Sequence, residues 1–202
     1  GNSAIILASA PAWTAVFASL AGSTSADRSV WTGVGVTFLG VALVVAGGPR
    51  DVGFGGGTLV GDLITLAAAV GWAAYTVMGR PLIARYGALP VTAWGLWIAT
   101  PLLVVAGVPA LAGSSLAEVS AFGWGTVAYS GVLAIGVAYA IWYRSVGHIG
   151  PERTAIYANL VPLVALAAAW AWRGQPPTVT QVAGAAAVLG GVLYTRWTRE
   201  RG

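Results

Sequence analysis

The sequence predicts an all-α integral membrane protein, a polytopic bundle with seven visible helical spans, on three observations. Of 202 residues, 57% are hydrophobic and only 8% charged, with a mean hydropathy of +0.80; so few polar side chains cannot cover a soluble domain of this size. Uncharged stretches of roughly the 17–25 residues that carry a helix across a bilayer recur along the chain, too long and too continuously apolar for barrel strands. Third, the opening of the chain returns as a faint copy 151 residues later. Residues 1–47 superpose without a gap on residues 152–198, placing Ala4 on Ala155, Ile5 on Ile156, Pro11 on Pro162, Ala18 on Ala169, Gly33 on Gly184 and Gly40 on Gly191.

The first span, Ala4–Ala21, contains Pro11, whose ring removes a backbone donor and crowds the carbonyl four residues earlier, and Trp13 at depth. The second, Val30–Gly47, carries Gly33, Gly35 and Gly40, and Trp31 near its end. A connector, residues 48–58, follows; its Gly53-Phe54-Gly55-Gly56-Gly57 run lacks the Gly-Lys-Ser/Thr ending of a phosphate-cradling loop. The third span, Leu59–Gly79, opens with Asp62 and places Trp72 and Tyr75 three residues apart, on one helix face. Leu89–Leu111 is apolar throughout, and Ala121–Tyr143 carries Trp124, Tyr139 and Trp142. The sixth span, Thr154–Trp172, repeats the proline at Pro162 and adds Tyr157 and Asn159; the seventh, Val179–Thr195, presents Gly184, Gly190 and Gly191 before a tail at residues 199–202.

Charge orients this bundle. All ten basic residues are arginine; Arg28, Arg80, Arg85, Arg144, Arg153, Arg196, Arg199 and Arg201 fall in alternate loops and the tail, against Arg50 and Arg173 on the other side. The bias places the C-terminus in the cytoplasm. Seven spans then put the N-terminus outside, at the rim of a helix with no basic leader before it, and the expectation is a chain truncated at this end. Equivalent helices of the two copies lie five spans apart, an odd number, so the copies run in opposite directions, the mark of an inverted-repeat transporter.

A family resemblance rests on named runs. Gly61-Asp62-Leu63 followed by Ala67-Ala68-Ala69-Val70-Gly71-Trp72-Ala73-Ala74-Tyr75-Thr76-Val77 resembles the opening helix of the second half in the EamA type of the drug/metabolite transporter superfamily. Tyr143-Arg144 with Gly147 and Gly150, leading into Arg153-Thr154-Ala155 and Asn159-Leu160-Val161-Pro162, is similar to that family's passage from its eighth to its ninth helix. The resemblance implies ten helices in two inverted halves of five, a central substrate cavity and cytoplasmic termini. On that pattern residues 1–47 are the last two helices of the first half, residues 59–198 are the complete second half, and three N-terminal helices precede this chain. One departure is visible: where the family often has Gly-Glu after each proline helix, this chain has Gly174-Gln175 and, in the first half, no glutamate near Gly22-Ser23.

Candidate functional residues follow from chemistry. Pro11 and Pro162 expose carbonyls that either face a midplane cavity or mark packing kinks. Trp72 and Tyr75 offer an aromatic wall for a substrate side chain, Trp13 is a further deep aromatic candidate, and for each the alternative is interhelical packing; Tyr139, Tyr157 and Asn159 are polar groups in or near spans that each need a partner. The Asn159 amide serves either a substrate or a neighbouring helix. No Arg, Asp or Glu stands mid-span; Asp62 is nearest, and its role is either ion coupling or the electrostatics of a helix N-terminus. The small faces of the last helix in each half suit close packing and a homodimer contact.

Without cysteine, disulfides and Cys-based metal sites are excluded, and His148, the only histidine, stands in a loop with no second ligand. No catalytic residue, metal or cofactor is expected, and arginines scattered over short loops form no nucleic-acid-reading element. The expected partners are the lipid bilayer and a small molecule. The expected function is secondary transport across a bacterial inner membrane, exporting small metabolites such as amino acids or amphipathic drugs by alternating access. A non-transporting membrane subunit or inactive transporter remnant, and more remotely an intramembrane enzyme, are the rival classes.

Overall fold

The computed structural model describes residues 2–22, 28–48, 59–112 and 118–200, and among these there is no strand. The first span is α1 (Asn2–Leu7) and α2 (Ala10–Leu20); the next three are α3 (Arg28–Ala46), α4 (Leu59–Tyr86) and α5 (Ala88–Ala112). The fifth is α6 (Ala121–Tyr129), a π-helical segment (Ser130–Val137) and α7 (Ala138–Ile149). The sixth is α8 (Pro151–Ile156), a 3-10 turn (Tyr157–Leu160) and α9 (Val161–Arg173), and the seventh is α10 (Val179–Glu200). The protein is a polytopic helical membrane protein.

Among the described residues six runs are long and apolar enough to cross a membrane: Asn2–Leu20, Arg28–Ala46, Leu59–Tyr86, Ala88–Pro109, Ala121–Ile149 and Pro151–Arg173. The seventh expected span forms as the 22-residue α10, long enough but outside that group, because Arg196 and Gln181, with glycine and threonine between, lower its apolarity. Three spans run further than hydropathy indicates, among them the seventh, which continues past Thr195 to Glu200. Arg80 ends the apolar stretch of α4 but not its helix, which continues through Pro81 to Tyr86, where the Arg85 guanidinium lies 5.1 Å from the Tyr86 ring. Long arginine side chains can reach the interface from such end turns. The fifth span likewise continues past Tyr143 to Ile149.

Helix ends are set by local chemistry. Gly174 closes α9 at φ +62° and Gly22 follows α2 at φ +60°, the left-handed conformation in which glycine needs no Cβ accommodation. At the start of α10, Thr178 and Gln181 cap reciprocally: Gln181 N–H donates to Thr178 Oγ1 at 3.2 Å, and Thr178 N–H to Gln181 Oε1 at 2.9 Å. Within the spans, threonine hydroxyls donate to the carbonyl four residues back, as Thr14 does to Ala10 at 2.9 Å and Thr195 to Gly191 at 2.6 Å, so apolar surroundings meet no unpaired hydroxyl there.

The chain divides into two compact units, residues 1–78 with 149–202, and residues 79–148. In the first, α3 and α10 pack most extensively, and they run antiparallel. A Cβ on Gly33 would meet Thr195 Oγ1 at 2.5 Å and Gly191 O at 3.3 Å; one on Gly40 would meet Gly184 O at 2.7 Å and Val188 Cγ2 at 2.7 Å; Gly47 lies against Thr178 and Gln181. From the other helix, a Cβ on Gly184 would meet Gly40 O at 2.6 Å and Val44 N at 2.7 Å, and one on Gly191 would meet Thr37 and Gly33. Backbones touch because Gly33, Gly40, Gly184 and Gly191 have no side chain. Gly35 and Gly190, by contrast, face open space. Buried around the crossing are Ala15, Val30, Val34, Ile156 and Val192 at one end, and Ala8, Val41 and Val188 further along.

In the second unit Tyr143, 2% exposed, lies flat against Gly79, where a Cβ would stand 2.7 Å from its hydroxyl oxygen. Ile83 packs similarly on Gly147. α5 and the fifth span present mostly exposed apolar side chains.

Candidate functional site

Both prolines stand at the second residue of a helix that follows a break. Pro11 is second in α2, after a turn at Ala8 and Ser9; Pro162 is second in α9, after the 3-10 turn. Each lacks the N–H that an uninterrupted helix would send to the carbonyl four residues back, that of Leu7 or of Ala158. At the second break the Val161 N–H takes up the Ala158 carbonyl. At the first, Ser9 bonds to the neighbouring carbonyl: its N–H and hydroxyl both donate to Ile6 O, at 3.0 and 2.6 Å, and the Trp13 indole N–H donates to Ser9 Oγ at 3.2 Å. Trp13 is thus tied to the break that its own helix follows.

Asn159 lies within the second break, 2% exposed, and its amide donates to Thr37 Oγ1 on α3 at 2.9 Å. The Thr37 hydroxyl in turn donates to Gly33 O at 2.8 Å. The pair is a buried interhelical tie, and Thr37, 122 residues away, has no mark in the sequence that would name it as the partner.

Asp62, in the first turn of α4, accepts from the Asn2 amide at both carboxylate oxygens, at 3.2 and 3.1 Å. That places its charge beside the positive end of the α4 dipole. About three turns on, Trp72 and Tyr75 are half-buried with ring centroids 6.3 Å apart and planes tilted by 43°. Of the residues that sequence reasoning selected, these two form one aromatic surface, while Trp13, Asn159 and Asp62 engage Ser9, Thr37 and Asn2.

Tyr157 is 39% exposed and lines a small pocket with Arg153, Ile156, Thr195 and Arg196, where Arg153 Nη1 donates to Thr195 O at 2.8 Å. A shallow groove of about 530 Å³ adjoins it at Arg196, bordered by Leu193, Tyr194 and Trp197. Tyr139 belongs to the second unit, at the start of α7, directly after the π-helical segment that sequence reading missed. The glycine-rich run 53–57 and Arg50 lie outside the described residues. Among the described residues no group of three His, Cys, Asp or Glu side chains could hold a metal ion.

Residues 59–197 match the EamA-like transporter family. The chain is 30% identical over 192 residues to the uncharacterized transporter YyaM of Bacillus subtilis strain 168, covering 95% of this chain and 63% of that protein. It is 30% identical over 207 residues to a Streptantibioticus cattleyicolor protein named "Probable terminal-alkyne amino-acid exporter", covering 100% of this chain and 66% of the relative. An uncharacterized transporter of Archaeoglobus fulgidus is 28% identical over 198 residues, 96% and 66% of the two chains. The chain therefore spans less than two thirds of the length of these relatives. No solved structure matches it significantly.

Proposed function

The chain belongs to the EamA-like transporter family, and from that premise we propose that its seven helices work within a ten-helix secondary carrier of two inverted five-helix halves. The reciprocity of the α3–α10 crossing carries this reading. Each contact on one helix, shifted by 151 residues, becomes a contact on the other: Gly33 with Gly191 and Thr195 becomes Gly184 with Gly40 and Val44, and Gly40 with Gly184 and Val188 becomes Gly191 with Gly33 and Thr37. A contact set that maps onto itself when its members exchange is an isologous, two-fold arrangement. With the helices antiparallel, that axis lies across them, as it does where repeats of opposite topology meet in a membrane plane.

The carrier exports small amphipathic metabolites, amino acids or related compounds, across a bacterial inner membrane, with its C-terminus cytoplasmic. Eight arginines against two support the orientation, and the name of the Streptantibioticus relative supports the substrate class. The two halves rock about a midplane cavity, and substrate drives the exchange by binding the inward and outward states with different free energies. Trp72 and Tyr75 form its aromatic wall, broken helices at Pro11 and Pro162 supply backbone acceptors, and transport rather than catalysis is the activity.

Counterflow in proteoliposomes tests this. Vesicles holding the full-length protein and loaded with unlabelled neutral amino acids should accumulate external labelled amino acid transiently and saturably. A non-transporting subunit gives no more uptake than protein-free vesicles across a panel of amino acids and amphipathic cations, and that result would overturn the proposal.

A further inference from the structure

The fifth span changes its winding midway. Between α6 and α7, residues Ser130–Val137 form a π-helix, at whose end the Ala138 N–H donates to the Leu133 and Ile135 carbonyls, five and three residues back. Neither acceptor is the Ala134 carbonyl, the one four residues back that α-winding would give to the Ala138 N–H, so that carbonyl is passed over. Its place matters. In the run Ala121–Ile149, 29 residues long, Ala134 stands one residue from the centre. At a rise of about 1.5 Å per residue, this puts a released carbonyl close to the bilayer midplane.

Lipid cannot satisfy such a group, and irregular backbone at this depth persists only where protein covers it or water reaches it. The surrounding side chains favour access. Gly131, Gly136 and Ala134 itself leave the backbone nearly bare, Ser130 lies about one turn before Ala134, and a Cβ added at Gly131 would meet nothing. Small residues next to a released carbonyl allow close approach of a ligand to the main chain, and π-turns concentrate at functional sites.

We propose that the Ala134 carbonyl, flanked by Ser130 and Gly131, opens onto the water-filled pathway of the carrier and accepts a hydrogen bond from an N–H donor of the substrate, such as the ammonium of an amino acid. The inference rests on the transporter reading and gives it a second backbone acceptor, independent of the proline breaks. Carbonyls of unwound membrane helices perform the same office for cations and polar substrates elsewhere.

The chain has no cysteine, so single cysteines report on water directly. Ser130→Cys, Gly131→Cys and Ala134→Cys are placed one at a time in the full-length protein, with any cysteines upstream replaced by serine. A charged, membrane-impermeant methanethiosulfonate is then applied to oriented vesicles, since only a hydrated thiol ionises and reacts. The expected result is modification within about tenfold of the rate in denatured protein, slowed severalfold by an amino acid that supports counterflow. Modification only after denaturation at all three positions overturns the inference, and three positions keep the test open if one variant fails to insert. Counterflow by the unsubstituted protein, run in parallel, separates the two readings: flux without labelling overturns this acceptor alone, and labelling without flux overturns the transporter.

Discussion

The helix pair α1–α2 with α3 and the pair α8–α9 with α10 occupy equivalent places in the 151-residue repeat, and they differ where polar groups stand. At the second break Asn159 donates to Thr37; the shifted positions are Ala8 and Val188, both buried and apolar. At the ends of the crossing Thr195 lies against Gly33, whereas its counterpart Val44 lies against Gly184. The four close-packed glycines and the two prolines are common to both copies. A break therefore forms with or without the hydrogen bond, so small residues and proline set the backbone path, and the Asn159–Thr37 bond adds to one copy a tie that the other lacks.

The sharpest way to break the comparison is to fill the shared part. Gly40→Leu and Gly191→Leu should each be severely destabilising, because the new side chain meets backbone, which cannot rotate away; overpacking of this kind costs about 1–3 kcal/mol or more. Gly35→Leu and Gly190→Leu, in open space, should remain folded. Fluorescence-detected size-exclusion of the four variants in detergent measures the contrast. Equal loss at all four would mean that the crossing does not control folding.

A smaller effect tests the part that is not shared. Asn159→Ala should cost about 0.6 kcal/mol, the average for interhelical hydrogen bonds in membranes, and no more than about 1.7 kcal/mol, because Thr37 keeps its bond to Gly33 O. Thr37→Val added to it should cost less than the sum of the two single changes, since the double variant reproduces the Ala8 and Val188 pairing of the other copy. Urea unfolding in mixed micelles gives the cycle; strict additivity would show that the two side chains are not coupled. Trp72→Ala should leave this stability nearly unchanged while lowering counterflow severalfold, with Tyr75→Phe less affected because it loses only a hydroxyl.

Particular residues show how much of this was legible. Hydropathy located every helix, and the signals that misled it were chemical: Arg80 stopped the apolar run of α4 while the helix continued through Pro81. The inward glycines were also legible, because Gly33, Gly40, Gly184 and Gly191 repeat as glycine in both copies, whereas Gly35 aligns with Ala186 and Gly190 with Leu39. Thr37 could not be foreseen as a partner, since its pairing with Asn159 depends on how two helices meet and not on local pattern. Nor could the π-turn: Ser-Gly-Val-Leu-Ala-Ile-Gly-Val carries no residue that demands five-residue winding.

The smallest expected effect concerns the carboxylate in the first turn of α4. Asp62 accepts from Asn2, and residue 2 corresponds to Arg153, which donates instead to the Thr195 carbonyl at the end of α10. One copy thus sends its first-turn side chain to a carboxylate at a helix N-terminus, the other to a carbonyl near a helix C-terminus, and each contact complements the dipole it meets. If Asp62 serves only that purpose, Asp62→Asn loses no more than about 1 kcal/mol, keeps a hydrogen bond to Asn2, and leaves the pH profile of counterflow where it was. A flattened profile in the variant would instead make Asp62 the coupling group and put function, not only electrostatics, at the N-terminal end of α4.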